Sequence, residues 1–216
     1  MTSRNRITDF INSLDTGHGS FCDRIAGEAR KSGVPIIRKE TAALLETLVT
    51  ALCPRQILEI GTAVGYSALV MAGRMPEAGH ITTIENYEPR IRQARINLEE
   101  AGEADRITLL EGDAGRLLKE LTGPYDLIFL DGAKGQYIQW LPQILELLAA
   151  GGVLVSDNVL QDGDILESRF AVERRNRTIH ARMREYLFAL KHTPSLVTSI
   201  LPVGDGVTIS VKMKQR

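Results

Sequence analysis

The sequence predicts an α/β protein with a doubly wound, mostly parallel seven-stranded sheet. Three observations carry this. Short apolar runs recur at 57–60, 81–84, 107–110, 127–130 and 153–155. Segments of helical character separate them at 67–74, 89–101, 114–121 and 137–149. Two further strand-like runs, 196–201 and 207–213, flank the turn Pro202-Val203-Gly204-Asp205-Gly206. Strand–helix alternation at this spacing makes βαβ units and a parallel sheet covered on both faces. Right-handed crossovers wind it in both directions from the middle. The last connection is too short for a crossover, so the final two runs pair antiparallel and put an antiparallel strand at one edge.

Residues 1–54 read as a helical arm or lid belonging to the same domain as the core at 55–216. Ile7, Phe10, Ile11 and Leu14 fall at helical spacing, and Thr16-Gly17-His18-Gly19 breaks that helix. A second helix over 21–32 stops at Gly33, before Pro35. A third, over 38–52, carries Leu44, Leu45, Leu48 and Val49 on one side, and Pro54 ends it. Near the other end, a long helix over 171–192 precedes the final strand pair.

Composition narrows the function classes. The 216 residues are 44% hydrophobic and 25% charged, which excludes a disordered, collagen-like or coiled-coil chain. The net charge is −1, so any nucleic-acid surface must be a local patch. Two cysteines, Cys22 and Cys53, are too few for a disulfide framework and fit a reducing, cytoplasmic setting. The N-terminus lacks the apolar run of a signal peptide, and no stretch approaches the roughly 20 apolar residues of a membrane span. No membrane partner is expected.

In an open α/β sheet, ligands bind beyond the carboxyl ends of the strands. The first end is Glu59-Ile60-Gly61-Thr62-Ala63-Val64-Gly65-Tyr66-Ser67. Two glycines four apart make a tight turn into a helix. The dinucleotide fingerprint needs a glycine where Ala63 stands, so that a pyrophosphate can approach. The loop can still hold a nucleoside, or be a plain strand-to-helix turn. Glu85 follows Gly65 by 20 residues, where an acid accepts the ribose hydroxyls of NAD or S-adenosylmethionine alike. Asp113 either caps the next helix or meets an adenine amino group, and the two roles are compatible.

The next two ends, Asp131-Gly132-Ala133-Lys134 and Asp157-Asn158, point to a cation. Asp131, Asp157 and Asn158 offer only oxygen, and hard oxygen ligands select Mg²⁺, Ca²⁺ or Mn²⁺ over zinc or copper. The four histidines, His18, His80, His180 and His192, are scattered, which removes a zinc reading. Taken singly, each of these residues is more simply a cap; two acidic strand ends facing one cleft favour the metal. Lys134 is either a surface lysine or points into the same cleft, where a lysine beside a cation can act as a base.

Together these residues resemble the cation-dependent class I O-methyltransferases, which include catechol and caffeoyl-CoA O-methyltransferases. The resemblance runs from about Pro35 to the C-terminus, with its motifs in order. It implies a Rossmann-like core that binds S-adenosylmethionine through Glu59, Gly61, Ala63, Gly65, Ser67, Glu85, Asp113, Ala114 and Asp131. It also implies a divalent cation, Mg²⁺ first, on Asp131, Asp157 and Asn158, with Lys134 and Asp131 as catalytic residues. Residues 131–137, 157–160 and 202–206, with an arginine-rich helix, look like the bacterial tRNA 5-hydroxyuridine methyltransferases. Gly132 departs from that subgroup, where alanine is expected. Those enzymes convert 5-hydroxyuridine at the wobble position to 5-methoxyuridine, so the implied partner is the tRNA anticodon region. A homodimer is common in the family.

Arg174, Arg175, Arg177, Arg182 and Arg184 support that subgroup. At helical spacing Arg174, Arg177 and Arg184 share one face, and Arg175 and Arg182 another. Arginine forks onto phosphate and stacks on unpaired bases; the plainer reading is a solvated helix paired with Glu173 and Glu185. The rivals are a small-molecule phenol O-methyltransferase, which keeps every active-site residue, a nicotinamide dehydrogenase and a non-catalytic RNA-binding protein. Ala63 argues against the dehydrogenase. The Asp131, Asp157 and Asn158 set argues against the non-catalytic binder.

Overall fold

The computed structural model describes residues 3–168 and 170–214; residues 1, 2, 169, 215 and 216 of the expected arm and core lie outside it. Three helices come first: α1 (Ser3–Ser13), α2 (Ser20–Ser32) and α3 (Lys39–Leu52). The α/β alternation follows as β1 (Gln56–Ile60), α4 (Tyr66–Ala72), β2 (His80–Glu85), α5 (Glu88–Glu100) and β3 (Ile107–Glu111). It continues through α6 (Ala114–Leu117), β4 (Tyr125–Leu130), α7 (Tyr137–Leu147) and β5 (Leu148–Ser156). Helix α8 (Arg177–His192) leads to β6 (Leu196–Leu201) and β7 (Val207–Lys212). Short 3-10 turns lie at Lys134–Gln136, Gln161–Leu166 and Arg174–Asn176.

The seven strands form one sheet in the order β3-β2-β1-β4-β5-β7-β6. Strands β1 to β5 are parallel, and β7 runs against both β5 and β6 at the expected edge. Strand order reverses between β1 and β4, which makes the crevice beyond their carboxyl ends the place for a ligand.

Successive strand residues point to opposite faces, and the apolar runs fill both. Ile57, Ile81, Leu127, Phe129 and Val155 pack under α2, α3 and α4. Leu58, Ile60, Ile84, Ile128, Leu130 and Leu154 pack under α7 and α8. The arm is pinned by charge as well as by its apolar side. His18 Nδ1 lies 3.0 Å from Glu46, which also receives Arg74 at 2.6 Å, and Lys39 reaches Asp15 at 3.1 Å.

Three boundaries differ from the periodicity. Helix α6 is only four residues long, because the amides of Lys119 and Glu120 bond three residues back and tighten the last turn. Strand β5 starts at Leu148, before the apolar run at 153–155, because α7 feeds directly into the sheet, and Gly151-Gly152 lies within the strand. Helix α8 starts at Arg177, since Glu173 is extended and 174–176 form a separate 3-10 turn.

Candidate active site

A cleft of about 670 Å³ opens over the carboxyl ends of β1, β2, β4 and β5. It gathers Gly61, Ala63, Glu85, Asp113, Ala114, Asp131, Lys134, Asp157 and Asn158. Its outer wall is Pro35, Ile36, Ile37 and Arg38, from the link between α2 and α3, and Asp205 from the turn between β6 and β7.

The β1 loop is shaped by close approach. Gly61 has φ +107°, and a Cβ there would lie 2.5 Å from the Asp131 carbonyl oxygen. Only glycine lets the β1 and β4 ends meet this closely. Gly65 (φ +84°) takes the left-handed conformation that starts α4. Behind the loop, Glu59 is fully buried and accepts hydrogen bonds from the Ser67 and Thr83 hydroxyls. Burial, partly offset by these bonds, pushes its carboxyl from 4.5 up to about 7. Glu59, Gly65 and Ser67 are therefore placed behind the loop, while Gly61 and Ala63 face the cleft.

Glu85 is buried at the end of β2. Its Oε2 accepts the Ala63 amide at 2.9 Å, and its Oε1 accepts the amides of Asn86 and Tyr87, each at 3.0 Å. A carboxylate has about four acceptor positions, so about one stays open for a ribose hydroxyl. Asp113 lines the cleft and caps α6 by accepting the Arg116 amide at 3.0 Å.

The two acidic strand ends converge. Asp157 is 1% exposed. Burial raises its carboxyl to about 6, with the Asn158 amide and Lys134 opposing. The Asn158 amide donates to Asp157 Oδ1 at 2.7 Å, and Asn158 itself is left-handed (φ +58°). Asp131 is half-buried; burial and then the Asp157 charge push it up to about 8, while Lys134 and Arg90 pull down. A buried and a half-buried carboxylate, the first raising the proton affinity of the second, beside a carboxamide, suit a hard divalent cation. Among the described residues no three His, Cys, Asp or Glu side chains cluster around one point; Asn158 adds a carboxamide to the same cleft.

The profile of the O-methyltransferase family matches residues 28–213. The chain belongs to the O-methyltransferase family. This O-methyltransferase is 34% identical over 172 residues to caffeoyl-CoA O-methyltransferase 1 of Arabidopsis thaliana, covering 76% of its own chain and 66% of the relative. It is 36% identical over 126 residues to a catechol O-methyltransferase of Niastella koreensis, covering 56% of its own chain and 57% of that relative. It thus spans about two thirds and rather more than half of these relatives' lengths. The S-adenosylhomocysteine-bound Podospora anserina methyltransferase PaMTH1 superposes with a TM-score of 0.88 at 26% identity, covering 99% of this chain and 96% of that one.

Of the arginines of this O-methyltransferase, Arg177 and Arg184 keep the shared face of α8 that their spacing predicts, but Arg174 and Arg175 lie outside that helix. Arg174 and Arg175 precede α8 and are exposed, and Arg175 pairs with Glu173 at 2.7 Å. The other three bind backbone carbonyls. Arg177 donates to Val172 and Phe170, each at 3.2 Å. Arg182 donates to Gly135 at 3.0 Å and Arg184 to Ile165 at 2.9 Å. Sequence reasoning missed Arg38, Arg90, Trp140 and Asp205 as cleft residues. Asp205 carried the one usable signal, a lone acid in a glycine turn. Arg38 Nη2 lies 3.7 Å from it, a contact 167 residues apart that spacing cannot show.

Proposed function

We propose that this enzyme transfers the methyl group of S-adenosylmethionine, with a divalent cation, to the 5-hydroxyl of 5-hydroxyuridine at the tRNA wobble position. The observation that carries the reading is the convergence of Asp131, Asp157, Asn158 and Lys134 in the cleft that also holds Glu85 and Asp113. The sulfonium cofactor supplies an already activated methyl, so the protein's work is to position it and prepare the acceptor oxygen. Glu85 would take a ribose hydroxyl and Asp113 an adenine amino group, with Gly61 and Ala63 lining the same cleft. Asp131, Asp157 and Asn158 would hold the cation, Mg²⁺ first, whose charge would lower the pKa of the acceptor hydroxyl. The Lys134 amine accepts the hydroxyl proton or steadies the oxyanion. Holding the two reactants in line can account for about 7–11 kcal/mol of the barrier.

For the acceptor, the hydroxyl and adjacent O4 of 5-hydroxyuridine offer the same two-oxygen bite as a catechol. The 131–137, 157–160 and 202–206 motifs support the RNA acceptor, and Arg174 and Arg175 stand exposed before α8, where phosphate can reach them. A small phenolic acceptor is the second reading, favoured by the relatives' names. The location proposed is cytoplasmic; among the described residues no helix is long and apolar enough to cross a membrane. A homodimer is proposed through the arm, where Phe10 on α1 and Leu14 just past it are more than 60% exposed; sedimentation velocity tests it.

The deciding experiment offers radiolabelled S-adenosylmethionine and Mg²⁺ to tRNA carrying 5-hydroxyuridine, with a catechol in parallel. Label in tRNA that disappears with EDTA supports the reading. Label only in the catechol replaces it with the phenolic one.

A further inference from the structure

We propose that Arg182 is a positioning residue, which sets the Lys134 amine against the Asp131, Asp157 and Asn158 group through the carbonyl of Gly135. The inference rests on Lys134 acting on the acceptor proton, as read above.

Lys134 opens a three-residue 3-10 turn whose preceding residue, Ala133, supplies no side-chain cap. Within the turn, the Gln136 amide bonds to the Ala133 carbonyl at 2.8 Å. Such short turns have poor hydrogen-bond geometry and need outside support. Lys134 also carries its charge on a flexible four-carbon stem, so the placement of its backbone decides where the amine can reach. The support comes from α8. Arg182 Nη1 donates to the Gly135 carbonyl at 3.0 Å, a charged donor on the residue next to Lys134.

The same helix face holds the other half of the site. Tyr186 lies one turn along from Arg182, and its buried hydroxyl is 2.6 Å from the Ser156 hydroxyl, on the residue preceding Asp157. Tyr137, at the end of the Lys134 turn, donates to the Leu130 carbonyl at 3.1 Å, on the residue preceding Asp131. Helix α8 therefore ties the Lys134 turn to the β5 end that carries Asp157, and Tyr137 at the start of α7 ties it to the β4 end that carries Asp131. An error of about 1 Å in such a register costs up to 100-fold in rate.

The test compares the full-length wild type with Arg182→Met, which keeps an apolar stem and loses the donors, and with Arg182→Lys, which restores one donor. Lys134→Met and the double variant complete a cycle. Each is assayed with 5-hydroxyuridine tRNA and with a catechol, and S-adenosylhomocysteine affinity and Tm are recorded.

The expected result for Arg182→Met is a 10- to 100-fold fall in kcat on every acceptor the wild type uses. KM and S-adenosylhomocysteine affinity stay within about twofold, and Arg182→Lys recovers part of the loss. The double variant is no slower than Lys134→Met, because a positioning residue has nothing left to position. An effect confined to KM for tRNA overturns the proposal and makes Arg182 a phosphate contact. Additive losses, or none, overturn it too. If Lys134→Met keeps the wild-type kcat, or the wild type methylates neither acceptor, the underlying reading of the site has failed and the inference falls with it.

Discussion

Replacing Glu59 with glutamine tests the electrostatics beneath the cofactor loop. Glu59 has no exposed surface, and its carboxyl sits at about 7 in the folded chain against an ordinary 4.5. Between those values the unfolded chain releases the proton while the folded chain keeps it. The unfolded state then binds fewer protons, so stability falls as pH rises. This group's contribution is fully present below about pH 4.5 and lost by about pH 7. At ~1.4 kcal/mol per pH unit, the gap of 2.5 amounts to about 3 kcal/mol. Glutamine keeps partners for Ser67 and Thr83 and cannot ionise. Urea unfolding of wild type and Glu59→Gln at half-unit steps from pH 4.5 to 8 reads the difference. The variant should gain on the wild type by about 3 kcal/mol over that range, or about 6–12 °C in Tm for a chain of this length. Asp157 acts alike in both proteins and cancels; Asp131 does so only in part, since the Glu59 charge is a minor cause of its rise. A difference that stays constant across the range, or shrinks with pH, refutes the argument.

Asp157→Asn should abolish transfer, yet raise the Tm of the metal-free protein at pH 8, since burial holds this carboxyl near 6. Scanning fluorimetry should show most of that gain gone at pH 4, and Mg²⁺ stabilising the wild type alone. Gly61→Ala forces a Cβ to 2.5 Å from the Asp131 carbonyl in a left-handed backbone; a loss of about 2–4 kcal/mol is expected, with weaker S-adenosylhomocysteine binding by calorimetry. Unchanged affinity would mean that the contact between the β1 and β4 ends does not shape the cofactor site. Arg174→Ala with Arg175→Ala should weaken RNA binding and lower its salt slope by about 1–2, leaving catechol kinetics unchanged.

The cleft's chemistry was legible because it is local. Each strand end carries its own motif, and the parallel order of β1 to β5 brings Gly61, Glu85, Asp113, Asp131 and Asp157 to one rim. The outer wall was not legible. Arg38 and Asp205 come from the two ends of the chain and meet only because the arm and the last hairpin fold over the same rim. Helix ends failed for a different reason: the backbone leaves α6 and enters β5 where hydrogen bonds to neighbours win over propensity.

Periodic apolar runs, glycine turns and strand-end acids determined the sheet, its two covered faces and most of the polar residues that line the cleft. Those features depend on neighbours within a few residues, and side-chain direction follows backbone period. Tertiary structure alone decided what the long side chains do. Five closely spaced arginines read as one charged surface, yet Arg177, Arg182 and Arg184 turn onto carbonyls of three separate segments. It also decided that Glu59 is buried deeply enough to hold its proton near neutral pH. A flexible guanidinium takes whichever acceptor the fold brings within reach, and a carboxyl's proton affinity follows the solvent left around it; neither quantity exists until distant segments are packed.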